Sequence, residues 1–179
     1  MTRSAIAVAI LTTAGCAALS PSPPPPTTAT VELKDPSGTV VGNATLTQML
    51  DGVRLVVDAR GLPAGQKGVH IHEAGTCDPP FASEGGHFNP DGKKHGLLNP
   101  DGPHAGDLPN MTIGAAGTGR LETMNYRVRL DPGPTSGFDS DGSALVVHAG
   151  PDDFTTDPAG NSGARIACGV ITPAKDGRR

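Results

Sequence analysis

The chain has no tryptophan, one tyrosine and four phenylalanines among its 179 residues. Aromatic rings supply much of the buried area in an ordinary core, so this core must be built from Val, Leu, Ile and Ala. Long apolar runs are missing too. The longest near the start, AIAVAIL at residues 5–11, is far short of the ~20 residues a membrane-spanning helix needs. No stretch carries a long amphipathic helical pattern. Positive charge is not in excess: 14 Lys and Arg stand against 18 Asp and Glu, a net −4 at pH 7. That excludes the basic footprint of a nucleic-acid binder. Cysteine is scarce and odd in number, at Cys16, Cys77 and Cys168. The length suits one domain.

Turn formers are plentiful instead, with 25 Gly and 18 Pro. The N-terminus has Arg3, then the apolar run, then small residues before Cys16. This order predicts a secretory signal over residues 1–15. Thr13-Ala14-Gly15-Cys16 resembles a bacterial lipobox, with Thr13 where Leu is usual. Cys16 is then the lipid-modified first mature residue, held by enough acyl chain for stable anchoring. An ordinary cleaved signal is the alternative. Residues 17–28, AALSPSPPPPTT, cannot form helix or an interior strand and predict an extended tether. The expected layout is a signal over 1–15, anchor and tether over 16–28, one domain over 29–175 and a short tail over 176–179. The protein is expected to be exported and held in the cell envelope or periplasm, touching membrane only through its anchor.

From Ala29 the texture becomes that of strands. ATVELKD, TVVGNATLTQ, VRLVVDAR, GVHIHE, MTIGAAG, GRLETMNYRVRL, SALVVHA and ARIACGVITP are eight β-rich runs parted by turn signals such as Asp35-Pro36-Ser37-Gly38 and Asp51-Gly52. Val31 and Leu33 alternate with Glu32 and Lys34, a half-buried strand pattern. Regularly spaced short strands predict an all-β sandwich or barrel.

Between GVHIHE and MTIGAAG lies a long stretch with no strand pattern, and ordinary loops rarely exceed ~15 residues. It is rich in ligand-type side chains. Five of six histidines fall in residues 68–107: His70, His72, His87, His95 and His104; His148 stands apart in SALVVHA. Histidine is the commonest metal ligand. His70 and His72, two apart on a strand, face the same way. His95, His104 and Asp107 are spaced for a chain that wraps a small ion, and nitrogens plus one carboxylate suit tetrahedral zinc. His148 completes a nitrogen set with His70 and His72, and nitrogen-rich tetragonal sites suit Cu(II). A His-x-His pair by itself is more often chance than site.

Taken together, GVHIHE, GGHFNP, KKHG, HAGDLPN, LVVHAG and GARIACGVI resemble, in order, the motif set of the bacterial copper–zinc superoxide dismutases. The resemblance covers roughly Thr30 to Pro173. It implies an eight-stranded Greek-key β-barrel with a long metal-binding loop and a second active-site loop. It further implies copper on His70, His72, His87 and His148, and zinc on His87, His95, His104 and Asp107, with His87 bridging. Asp152 would link His70 to His95, Arg165 would attract the substrate anion, and Cys77 and Cys168 would form a disulfide. The implied activity is dismutation of superoxide to O₂ and H₂O₂ by alternating reduction and oxidation of the copper. Two alternatives of other classes are a copper-binding or copper-delivery domain without turnover and an exported zinc hydrolase. The sequence departs from the family in Gly150 to Ala164, which has three Asp and no Lys or Arg. Near-diffusional steering is therefore not implied. Monomer and homodimer both remain open.

Overall fold

The described residues, 27–174, of a computed structural model of the chain contain ten short strands and no helix. The expected signal over residues 1–15, the expected anchor Cys16, most of the expected tether and the tail lie outside these residues. The strands are β1 (Thr28–Lys34), β2 (Val40–Gln48), β3 (Val53–Ala59), β4 (Gly65–Lys67), β5 (Val69–His72), β6 (Met111–Ile113), β7 (Gly119–Asn125), β8 (Ala144–His148), β9 (Arg165–Val170) and β10 (Thr172–Pro173).

They form one antiparallel sheet in the order β4-β6-β7-β3-β2-β1-β9-β8-β5, with β10 beside β1. Its two end strands, β4 and β5, are parted in sequence by Gly68 alone. The chain itself therefore brings the sheet's two edges together, and the sheet curls into a nearly closed barrel, which removes the hazard of free edges. The connections β3 to β4 and β7 to β8 pass over intervening strands, as a Greek key requires. The all-β barrel expected from the sequence is thus the fold observed. Its eight runs become ten segments because β4, which none of the eight runs includes, pairs with β6 while β5 pairs with β8, and because the last run breaks into β9, beside β8, and β10, beside β1.

The alternating residues turn inward as read. Ala29, Val31 and Leu33 of β1, Ala44 and Leu46 of β2, and Leu55 and Val57 of β3 are buried in one aliphatic cluster. Each fully buried Leu or Val contributes roughly 2 kcal/mol of apolar transfer. The strands β5 and β8 differ, being buried on both faces. Val69, Ile71, Leu145 and Val147 face the main core. Ala144 and Val146 face outward into a second cluster with Phe81 and Cys168. This outer face lies under the long loop, and it carries the histidines.

Candidate metal centre

His70 and His72 stand on the outward face of β5, opposite Val146 and Ala144 of β8. The long loop then returns to β5 twice. Isolated bridges pair His72 with His87 and His70 with Asp107. Between them, the Ile71 N–H donates to Gly106 O at 2.9 Å and Ile71 O accepts from Phe88 N at 2.9 Å. Gly106 passes so close to the Ile71 carbonyl that a Cβ there would collide with it. A glycine is what lets the loop lie down on the strand. His148 ends β8 opposite Arg165, where the register with β9 shifts between Val147 and His148. Such irregularities re-aim side chains beside functional sites.

These folds of the chain gather two donor sets. In each, four ligand atoms lie within 4.8 Å of one another: His70, His72, His87 and His148 form one, and His87, His95, His104 and Asp107 the other. All are buried, and His87 belongs to both. Four buried ring nitrogens have no hydrogen-bond partner: His70 Nδ1, His72 Nε2, His87 Nε2 and His148 Nε2. They belong to the four residues of the first set, one nitrogen each. Orphaned buried polar atoms are costly and call for an explanation. A metal ion at their convergence supplies one, and four imidazole nitrogens suit copper. In the second set the nitrogens crowd one carboxylate. His87 Nδ1 lies 2.8 Å, His95 Nδ1 3.1 Å and His104 Nδ1 3.4 Å from Asp107 Oδ1. Three nitrogens and a carboxylate make a closed tetrahedral set of the kind zinc takes.

The remaining ring nitrogens are held from outside. His70 Nε2 donates to Asp152 Oδ2 at 2.7 Å, and His95 Nε2 contacts Asp152 Oδ1 at 3.0 Å. Far from being an exposed turn residue, Asp152 is buried and joins the two sets. His72 Nδ1 faces Gly85 O at 3.0 Å and His148 Nδ1 faces Gly163 O at 3.1 Å. Acceptors of this kind fix the tautomer and raise ligand basicity. The loop bearing Asp152 closes over the site at Gly160, whose φ is +61°. A Cβ at Gly160 would strike Asp152 Oδ1 and lie 2.6 Å from His95 Nε2.

Titration follows these surroundings. Burial, opposed by the Asp152 hydrogen bond, lowers the His70 pKa to about 3. Burial likewise lowers His72 to about 2 and His148 to about 4, and it lowers His87. These rings are neutral donors at neutral pH, as metal binding requires. His95 goes the other way. Burial pulls it down, but hydrogen bonds to both Asp107 and Asp152 outweigh this and raise it to about 9. Asp107 feels burial upward and its hydrogen bonds to His104, His87 and His95 downward; the latter win, and it sits well below the usual carboxylate range.

The profile of the family described as copper/zinc superoxide dismutase matches residues 40–171. The chain belongs to this family. It is 52% identical over 143 residues to copper–zinc superoxide dismutase 2 of Aquifex aeolicus, covering 78% of this chain and 84% of that one. It is 42% identical over 160 residues to the copper–zinc superoxide dismutase of Deinococcus radiodurans, covering 80% and 84%. Among solved structures, an SOD-like protein from Bacillus subtilis superposes with a TM-score of 0.76 at 40% identity, covering 80% of this chain and 97% of that one.

The other residues singled out in the sequence also lie about this centre. Cys77 and Cys168 are joined in a disulfide that ties the long loop to β9. Arg165, with His87, His104, His148 and Gly163, lines a cavity of about 440 Å³. Its guanidinium is anchored to the same loop, Nη1 donating to Phe81 O at 3.0 Å and Nη2 to Gly85 O at 2.7 Å. Lys94, on the long loop, pairs with Asp157 at 3.0 Å. Sequence reading missed three parts of the site. The carbonyls of Gly85 and Gly163 are main-chain atoms, which no side-chain motif signals. Glu84, in SEGGH, was not singled out in the sequence and is fully buried.

Proposed function

We propose that the chain dismutates superoxide to O₂ and H₂O₂ with copper on His70, His72, His87 and His148 and zinc on His87, His95, His104 and Asp107. The observation that carries this reading is the convergence of four partnerless buried nitrogens beside a second set sharing His87. When bound, copper supplies the one-electron redox change and zinc, which has no redox chemistry, fixes the shared ring. The chain's own residues do the rest. His87 offers one nitrogen to each set, and it is placed to take up a proton at Nε2 and pass it to reduced substrate. Asp152 holds His70 and His95 in register through Nε2 of each ring. Arg165 presents a fixed positive charge to a small anion entering the cavity. The carbonyl acceptors on His72 and His148 keep those rings from turning.

A copper carrier without turnover gains no particular support, since both donor sets and the cavity arginine are complete. The domain reading includes a signal over residues 1–15, a lipid anchor at Cys16 and a tether through residue 28, which would place the enzyme in the cell envelope; mass spectrometry of the mature N-terminus checks this. Light scattering checks whether the chain forms a homodimer. Superoxide turnover measured together with metal content tests the central reading. Activity is expected to follow copper occupancy, and a fully metallated protein that leaves superoxide untouched would overturn it.

A further inference from the structure

Behind Arg165 lies an acid that none of the preceding assignments uses. Glu84 Oε1 is 3.1 Å from Arg165 Nη1; the Glu84 side chain is 0% exposed and that of Arg165 25%. Both Glu84 oxygens nevertheless lack a hydrogen-bond partner. The two facts are compatible, because charge pairing needs only proximity whereas a hydrogen bond also needs direction. The Arg165 N–H groups are aimed at the carbonyls of Phe81 and Gly85 on either side of Glu84 in the chain. A buried carboxylate without a hydrogen bond is unfavourable, and the guanidinium charge compensates it. Glu84 is not part of the cavity wall, whereas Arg165 is.

Arg165 lines the cavity together with His87 and His148 of the first donor set. An anion in the cavity therefore meets a guanidinium with a carboxylate close behind it. It experiences a dipole instead of a full charge, and that attraction falls off faster with distance. Little else compensates. Gly150 to Ala164 has three Asp and no cation, Lys94 is paired with Asp157, and Glu73 adds an acid to the cavity wall.

We propose that Glu84 is a positioning residue that holds Arg165 from behind and cancels part of its charge, so that the site takes up small anions more weakly than an unpaired arginine would allow. This rests on the reading of Arg165 as the residue that attracts the substrate anion.

The test is azide titration of the copper(II) absorption band in the copper- and zinc-loaded full chain. Glu84→Gln keeps the shape and removes the charge. Azide affinity is expected to rise about threefold or more at low salt, and the gain to shrink towards about 1 M salt, less steeply than for an exposed charge because Glu84 is buried. Arg165→Ala is expected to lower affinity about fivefold, and Glu84→Gln added to it to give no gain. If Arg165→Ala lowers affinity and Glu84→Gln leaves it unchanged or lower, Glu84 does not mask the arginine, and the role of Arg165 stands. If Arg165→Ala itself changes nothing, the reading of Arg165 fails, and this inference with it. The unaltered protein gives a check that needs no variant. Its azide affinity is expected to change by less than about twofold between roughly 10 and 200 mM salt, and a steep fall would overturn the masking.

Discussion

His87 Nδ1 lies 2.8 Å from Asp107 Oδ1 while its Nε2, also buried, has no hydrogen-bond partner. One ring thus turns one nitrogen to a carboxylate and the other to the set it shares with His70, His72 and His148. Asp107 holds that orientation from the side where His95 and His104 also converge. The remaining rings of the first set are aimed by other acceptors, so the ring shared by both sets is oriented by the second.

Substitutions should separate the shared ligand from the unshared one. His87→Ala removes a donor from both sets, and His104→Ala from one. Loss of an outer partner alone costs about 10–100-fold in metal affinity, so loss of a ligand should cost more than about 100-fold. Competition titrations are expected to show both copper and zinc weakened by His87→Ala, but chiefly zinc by His104→Ala. Equal copper losses in the two variants would contradict the sharing.

Asp152→Asn replaces a carboxylate that serves His70 and His95 at once. His70 meets Oδ2 and His95 meets Oδ1, so an amide puts an N–H donor against one of the two ring nitrogens. Affinity at one set or both is expected to fall about 10–100-fold with the fold intact. Metal affinities within twofold of the unaltered protein would show that the link is dispensable.

Much of this was legible before the fold. The histidines are concentrated in one stretch, and alternation in TVELK and VRLVVD shows which side chains turn inward. The burial of both faces of VHIH was legible only through its histidines, since nothing in four residues says that a distant loop covers them. The three-residue β4 and two-residue β10 are too short for periodicity to register. Gly85 and Gly163 act through backbone oxygens, which every residue has. Glu84 was invisible for another reason: it is buried beside Arg165 where the loop, tied by the Cys77–Cys168 disulfide, meets β9, a tertiary event with no local signature.

The metal-free protein should lose stability as pH falls from 6.5 towards 4. His70, His72 and His148 are lowered to about 3, 2 and 4 by burial. In that window they are neutral when folded and protonated when unfolded. The unfolded state binds more protons, so stability rises with pH, by roughly 1.4 kcal/mol per pH unit for each ring. His95 has the opposite sign. Raised to about 9, its contribution is complete below 6.5 and is lost as pH rises through 9. Urea unfolding of metal-free protein is expected to give a stability maximum near pH 6.5. Bound metal should flatten the acid limb down to the pH at which protons displace it. A flat profile between pH 4.5 and 6.5 without metal would show that these rings are not buried neutral.

The disulfide should act on both the fold and the site. Cys77 and Cys168 are 91 residues apart in sequence, and closing a loop of that length removes chain entropy worth roughly 4–5 kcal/mol. Replacing both cysteines with serine is expected to lower stability by about that amount and Tm by about 10 °C. The local effect follows from where the bond sits. Cys168 is on β9 with Arg165, and Cys77 begins the segment that supplies Phe81 O, Glu84 and Gly85 O to the guanidinium. Gly85 O also faces His72 Nδ1. Freed of the tether, this segment should let both Arg165 and His72 move. Copper affinity is then expected to fall more than zinc affinity, because His95, His104 and Asp107 lie beyond His87 and are held by other contacts. Calorimetry gives the first quantity and metal competition the second. A double variant that loses stability but keeps the ratio of copper to zinc affinity would confine the disulfide to the fold.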